Sequence, residues 1–128
     1  MRKIFTIAIL TFAFGLVAYG LIPGKTVITG DVVKFTGMYG IELNLSDIEQ
    51  VQLINKIPKI KSRTNGLSAF GVKKGHFNLE GYGKSRLLVE SSQPPFLLIT
   101  TKSQETVISN SKNPEDTKAV FEKIKEGL

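Results

Sequence analysis

The sequence predicts a mainly β domain closed by one C-terminal α-helix and preceded by an N-terminal transmembrane helix, and three patterns predict it. Ile4 to Ile22 run for nineteen residues without a charge. From Val32 onward, apolar residues alternate with polar ones at a period of two and are cut by turn dipeptides, the mark of half-buried strands. After Asn113 the period returns to that of a capped helix.

A helix over Ile4 to Ile22 would be about 28 Å long at about 1.5 Å per residue, close to the roughly 30 Å hydrocarbon thickness of a bilayer. Arg2 and Lys3 precede it and only Lys25 lies near its far end, so the positive-inside rule keeps the N-terminus in the cytoplasm and the domain outside. The alternative is a cleaved signal peptide, with Arg2 and Lys3 as its n-region and Ala18-Tyr19-Gly20 as its cleavage site, which would release the domain as a secreted protein. Pro23 and Gly24 then break the helix. The expected organisation is an anchor over residues 1–24, a linker over 25–31 that holds the domain close to the lipid, and a domain over 32–128.

About seven strands are expected in antiparallel pairing. Val33 with Phe35, then Ile41, Leu43 and Leu45, give the first two, with Gly37-Met38-Tyr39-Gly40 as a reversal, a bulge or a kink between them. Ser46-Asp47 marks a turn before a third strand, Glu49 to Ile54. Lys56 to Gly75 reads as a long, partly extended connection cut by Pro58, Asn65-Gly66, Gly71 and Gly75, in which Asn65-Gly66 could form a hairpin turn. An antiparallel meander follows: Phe77 to Glu80, Lys84 to Glu90, Phe96 to Thr101 and Glu105 to Ser109. Leu97, Leu98 and Ile99 are continuously apolar, so this strand must be covered on both faces.

The tail provides a cover. Asn113 is a good N-cap, Pro114 suits the first helical position, Glu115 and Asp116 face the positive end of the dipole, and Gly127 terminates. Val120, Phe121, Ile124 and Leu128 form one apolar stripe for docking on the sheets.

Composition removes several chemistries. The absence of Cys excludes disulfides, thiol nucleophiles and thiolate metal sites, and the single His76 excludes a histidine metal cluster. His76 lies between Gly75 and Phe77 as an ordinary surface or strand-edge histidine, with no nucleophile or acid spaced around it for a triad. Gly81-Tyr82-Gly83 lacks the third glycine and the helix of a phosphate-cradling motif. No enzyme, cofactor or metal site is expected. The net charge of +6 is uneven: Lys56 to Arg86 hold eight cations against Glu80, whereas the remainder from Lys25 onward is net negative.

Several local motifs carry a resemblance: Gly37-Met38-Tyr39-Gly40-Ile41, Leu45-Ser46-Asp47-Ile48, Arg63-Thr64-Asn65-Gly66, Gly81-Tyr82-Gly83-Lys84, Pro94-Pro95-Phe96 and Asn110-Ser111-Lys112-Asn113-Pro114-Glu115. Over residues 32–127 the chain resembles a bacterial PH-like (pleckstrin-homology-like) domain family whose members often carry N-terminal membrane segments. The resemblance implies a bent β-sandwich or barrel plugged by the C-terminal helix, and a membrane association, but no catalytic residue. Phosphoinositide-binding PH domains resemble one another in placing alternating cations in the first hairpin; here Gly37 to Gly40 contain none, so that ligand does not follow.

Two functions are therefore expected as alternatives. One is a docking or scaffold module for protein partners or for self-association, as PH-like folds resemble general docking platforms. The other is binding of anionic lipid head groups or wall polymers through the basic face, with Lys59, Lys61, Arg63, Lys73 and Lys74 as the ligand-binding candidates. In an extended chain Lys59, Lys61 and Arg63 would project from one side. The structural counterpart is a lysine-rich edge that discourages sheet aggregation. Nucleic acid is not expected, since the exported position argues against it and Tyr39, Phe77 and Tyr82 suit packing better than base stacking.

Overall fold

The computed structural model describes residues 18–103 and 105–128. Among these, no helix is long and apolar enough to cross a membrane. The expected span Ile4 to Ile22 lies, as far as Val17, outside the described residues, and residues 18–21 form one helical turn ahead of the break at Pro23.

Among the described residues nine strands form two sheets, against the expected seven. β1 (Thr26–Thr29), β2 (Val32–Phe35) and β3 (Ile41–Asn44) make an antiparallel three-stranded sheet. β4 (Ile48–Ile54), β5 (Ile60–Ala69), β6 (Val72–Leu79), β7 (Gly83–Val89), β8 (Phe96–Thr101) and β9 (Thr106–Ser109) make a six-stranded sheet in the order β4-β8-β9-β7-β6-β5. α1 (Pro114–Gly127) closes the chain.

Two strands come from stretches read as irregular. The expected linker over residues 25–31 contains β1, because a two-residue turn at Gly30-Asp31, with Gly30 at φ +57°, folds it back on β2. The expected connection between Lys56 and Gly75 contains β5. Asn65-Gly66 is not its turn: Gly66 pairs across the ladder with Gly75, and the reversal is at Phe70-Gly71. Both paired glycines have positive φ, and a Cβ on Gly66 would come within 2.8 Å of the Gly75 Cα. Only glycine at both positions permits this close backbone approach.

The meander also differs from expectation. β9 lies between β7 and β8, antiparallel to β8 but parallel to β7, with Ser85 opposite Thr106 and Leu88 opposite Ser109. The reason is a side chain. Asn110 Oδ1 accepts from the Glu90 and Ser91 N–H groups at 2.7 and 3.3 Å, and its Nδ2 donates to the Ser91 and Gln93 carbonyls at 2.9 and 3.1 Å. One buried amide thus fixes the connection leaving β7 to the end of β9, and β8 is displaced one place outward.

The six-stranded sheet has to curl. Flat, it would be about 24 Å wide at about 4.8 Å per strand. Its two edge strands, β4 and β5, are joined only by residues 55–59, and the Cα path from Ile54 to Ile60 reaches at most about 22 Å. The curl separates two cores. On one face Leu88, Leu97, Ile99 and Val107 pack with Val33, Phe35 and Leu43 of the small sheet and with Ile124 of α1. On the other, inside the curl, Phe77, Leu79, Leu87, Val89, Phe96, Leu98 and Ile108 pack with Ile54, Ile57 and Ile60 at the join. The continuous apolar run of β8 serves both faces, as its sequence requires.

α1 carries its predicted cap, with the Asn113 side chain accepting from the Glu115 N–H at 3.0 Å. Ile124 is fully buried and Val120 and Phe121 half-buried, but Leu128 is 53% exposed and does not complete the docking stripe. Thr117 is buried instead, and its Oγ1 accepts from the Ser111 N–H.

Candidate functional site

The alternation of Phe77 and Leu79 along β6 sets the phase for the lysines of the same strand. Lys73 shares the face of Phe77 and Leu79, inside the curl, whereas Lys74 belongs to the opposite face. The two adjacent cations consequently have unrelated roles.

Lys73 lies at the open end of the inner core. A groove of about 390 Å³ opens there, walled by Ile57, Val89 and Phe96 and flanked by Lys56, Lys59 and Lys73. Ser91 and Ser92, on the connection held by Asn110, and Gly71 of the hairpin turn complete it. None of the three lysines forms an ion pair or a side-chain hydrogen bond with a described residue. Three lysines and two serines lining a groove with an apolar floor supply donors that can receive an anion by charge-assisted hydrogen bonds. Lys59 and Lys73 were expected in such a site; Lys56 was part of the basic band and joins them because the join between the edge strands returns it to the same end of the curl.

Lys61 and Arg63 do not line the groove. The β5 register shifts between Ile60 and Ser62 and again between Arg63 and Asn65. These bulges break the strict two-residue alternation on which the expectation of a single cationic side for Lys59, Lys61 and Arg63 depended. Both side chains are exposed on a ten-residue edge strand. A cation beside a bulge on a long edge can discourage pairing with another sheet.

Lys74 is not available to an external anion. Its side chain is 2% exposed, its Nζ lies 2.8 Å from Glu90 Oε1, and it donates to the Ile22 carbonyl at 2.9 Å. Glu90 Oε1 also accepts from the Gly24 N–H at 3.1 Å, while its Oε2 is buried without a hydrogen-bond partner. The segment leaving the apolar run is thus held by its main chain on a buried ion pair. The Lys25 N–H donates to Thr36 Oγ1 and the Thr36 N–H to the Lys25 carbonyl, both at 2.8 Å, extending the β1–β2 ladder. Gly20 lies against the Leu67 and Met38 side chains, whose ends would have to shift to admit a Cβ. A fixed strut takes the place of the expected tether. No sequence signal marks Glu90 as its partner beyond the parity that puts Glu90, directly after β7, on the face of Leu88.

A second polar cluster joins the sheets. Arg86 Nε donates to Glu105 Oε1 and its guanidinium NH1 to the Tyr39 carbonyl, each at 2.6 Å. His76 Nδ1 lies 3.5 Å from Glu105 Oε2 without a hydrogen bond, and its ring meets Tyr39 edge-on at 5.7 Å. Tyr39 OH donates to Asn65 Oδ1 at 2.9 Å. The reversal between β2 and β3, where Tyr39 has φ +62°, is thereby fastened over β5 to β7. Every member of this cluster packs on another within the fold.

The bacterial PH domain family profile matches residues 27–127. No curated protein and no solved structure matches the chain. Two sheets with a C-terminal helix docked on them fit this match, and a PH-like domain is a binding or docking module by type. With the match covering most of its length, the chain belongs to the bacterial PH domain family.

Proposed function

We propose that this PH domain is a non-enzymatic docking module, anchored in the membrane through Ile4 to Ile22 with its domain on the extracytoplasmic side, that receives an anionic group in the groove between Lys56, Lys59 and Lys73. The observation that carries the reading is that three lysines without an ion-pair or side-chain hydrogen-bond partner among the described residues line one groove with an apolar floor. Their magnitude sets how the module works. Exposed ion pairs contribute about 0.2–1 kcal/mol each, so three give at most about 3 kcal/mol, a millimolar or weaker affinity. The groove alone is a weak site. Confinement beside a lipid surface or a repeating anionic polymer raises the effective concentration and supplies the rest.

The test is titration of the full chain, held in nanodiscs of neutral lipid, with a soluble glycerol-phosphate polymer at low and moderate salt. Lys59→Glu with Lys73→Glu is expected to weaken binding about tenfold or more, the equivalent of about 1.4 kcal/mol. Equal binding by the doubly reversed variant, or no binding by the native chain at either salt, would sink the reading.

A protein partner or a second copy is the second reading, and β1 favours it. Unlike β5, this edge strand carries no cation, proline or bulge within Thr26–Thr29, and its outer ladder is unpaired among the described residues. Such an edge accepts an added strand. Sedimentation of the full chain in detergent over a range of concentrations tests it, and a strict monomer with no co-purifying protein counts against it.

A further inference from the structure

We infer that the lysine groove faces away from the bilayer that holds the N-terminal segment, so that the anion it takes is a phosphate of a polymer outside the membrane and not a lipid head group. The inference rests on the anchored reading above and narrows its anionic partner to one of the two sources considered there.

The contacts of residues 20–24 give the segment a direction. The Gly24 N–H donates to Glu90 Oε1, and Glu90 directly follows Val89, the partner of Lys73 near the start of β6. The Ile22 carbonyl accepts from Lys74, one residue further along that strand. Gly20 lies against Leu67, the cross-strand partner of Lys74, and against Met38. Met38 precedes Tyr39, which is bonded to Arg86 and Asn65, and both of these pair with His76. Followed toward the N-terminus, the chain therefore moves along β6 from Val72 toward His76. It does so on the face that carries Lys74.

The groove lies the other way on both counts. Gly71, Lys73, Val89, Ser92 and Phe96 put it at the end of the curl where β6 begins. Lys73 also belongs to the inside of the curl, opposite the face of Lys74. Whether the segment goes on along β6 or turns outward from the Lys74 face, the large sheet stands between lipid and groove. Sheets pack about 10 Å apart, so one sheet with its side chains already exceeds the screening length of about 8 Å at physiological salt. At that separation the groove cations gain little from an anionic leaflet.

A polymer supplies what the leaflet does not. No arginine among the described residues lines the groove, so the planar fork that suits a carboxylate is missing. Ammonium groups and the hydroxyls of Ser91 and Ser92 can instead approach a tetrahedral phosphate from several sides. The floor of Ile57, Val89 and Phe96 suits the carbon links between successive phosphates. Repetition along one polymer strand, held by several anchored copies at once, raises the effective concentration at a site that is weak alone.

The chain contains no cysteine, so a fluorophore can be attached at one chosen position at a time. Ser92→Cys reports the groove side. Asn78→Cys reports the opposite side, being exposed on the Lys74 face and about 13 Å beyond Lys74 in the direction the segment takes. In nanodiscs of phosphatidylcholine with spin-labelled head groups, the fluorophore on Asn78→Cys is expected to be quenched more strongly than that on Ser92→Cys. Glycerol-phosphate polymer is expected to bind the unlabelled full chain equally in discs with and without phosphatidylglycerol at moderate salt, and more tightly than polyglutamate does. Lys59→Glu with Lys73→Glu should weaken that binding about tenfold in both discs. Quenching at Ser92→Cys as strong as at Asn78→Cys, or displacement of the polymer by phosphatidylglycerol, would overturn the inference; the proposed function survives if the double reversal still weakens polymer binding. Polymer binding that is absent, or indifferent to the double reversal, would overturn the proposed function and the polymer assignment with it, even if Ser92→Cys is shielded from the lipid. Polyglutamate binding as tightly as the phosphate polymer would overturn the assignment to phosphate.

Discussion

Replacing Lys74 with methionine should cost more than the same exchange at any other lysine of this domain. Lys74 and Glu90 are both almost fully buried, 2.8 Å apart, and between them bind the Ile22 carbonyl and the Gly24 N–H. Removing the ammonium leaves Glu90 buried, with Oε1 keeping only the Gly24 N–H and Oε2 already without a hydrogen-bond partner. Breaking a buried pair from one side costs about 3–5 kcal/mol, because the remaining charge is uncompensated. For a domain of about a hundred residues that is a fall of roughly 15–25 °C in melting temperature. The double variant, Lys74→Met with Glu90→Leu, removes both charges and leaves only two main-chain groups to find water, at about 1–3 kcal/mol each. It should be more stable than Lys74→Met alone. Thermal denaturation of the full chain in detergent, followed by circular dichroism, reads all four corners of the cycle. A melting temperature for Lys74→Met within about 5 °C of native, equivalent to about 1 kcal/mol, would refute the reasoning. Strictly additive losses in the double variant would refute it as well, since contacting charges must couple. Amide exchange supplies a second readout: the Gly24 N–H should exchange slowly in the native chain and quickly in Glu90→Leu, which removes its acceptor.

Two further outcomes follow from other parts of the fold. Asn110→Ala deletes the acceptor and donors that hold residues 90–93, leaving buried main-chain groups unpaired; a loss of about 2–4 kcal/mol is expected, measured by the same denaturation, and a loss under about 0.5 kcal/mol would mean that water replaces the amide. Lys61→Val with Arg63→Val strips the cations from the bulged β5 edge while leaving the groove intact; the variant is expected to aggregate at concentrations where the native chain stays dispersed, as light scattering would show, and unchanged scattering would make these two residues candidates for anion binding again.

Much of the fold is legible in the residues because it rests on local rules. Alternation fixes β2, β3 and β4, a continuous apolar run fixes β8, and Asn113-Pro114 fixes the start of α1, since side-chain pattern and caps act within a few residues. β5 escapes because its glycines look like loop punctuation, whereas Gly66 and Gly75 are matched across a ladder and their purpose exists only in the pair. β1 escapes because Thr26–Thr29 is short and half-polar, and only the turn at Gly30 makes it a strand. The parallel β7–β9 pairing depends on the Asn110 side chain reaching twenty residues back to Glu90, and no periodicity reports that. The site is partly legible for the same reason. The basic band is plain, but dividing it into groove, guarded edge and buried pair requires the β5 bulges and the two faces of β6. The parity of Phe77 and Leu79 is enough to separate Lys73 from Lys74.

The placement of β9 has a consequence for how the chain assembles. β7 and β8 follow one another in sequence yet never touch through a ladder, so a hairpin between them would be a wrong intermediate that has to be undone. Both must wait, edges open, until Thr106–Ser109 arrives between them and Asn110 fastens the join. In a chain made from its N-terminus, the large sheet has no finished form until Asn110 has emerged. Its slowest step should accordingly be the entry of a short central strand, a non-local pairing of the kind that slows β proteins generally.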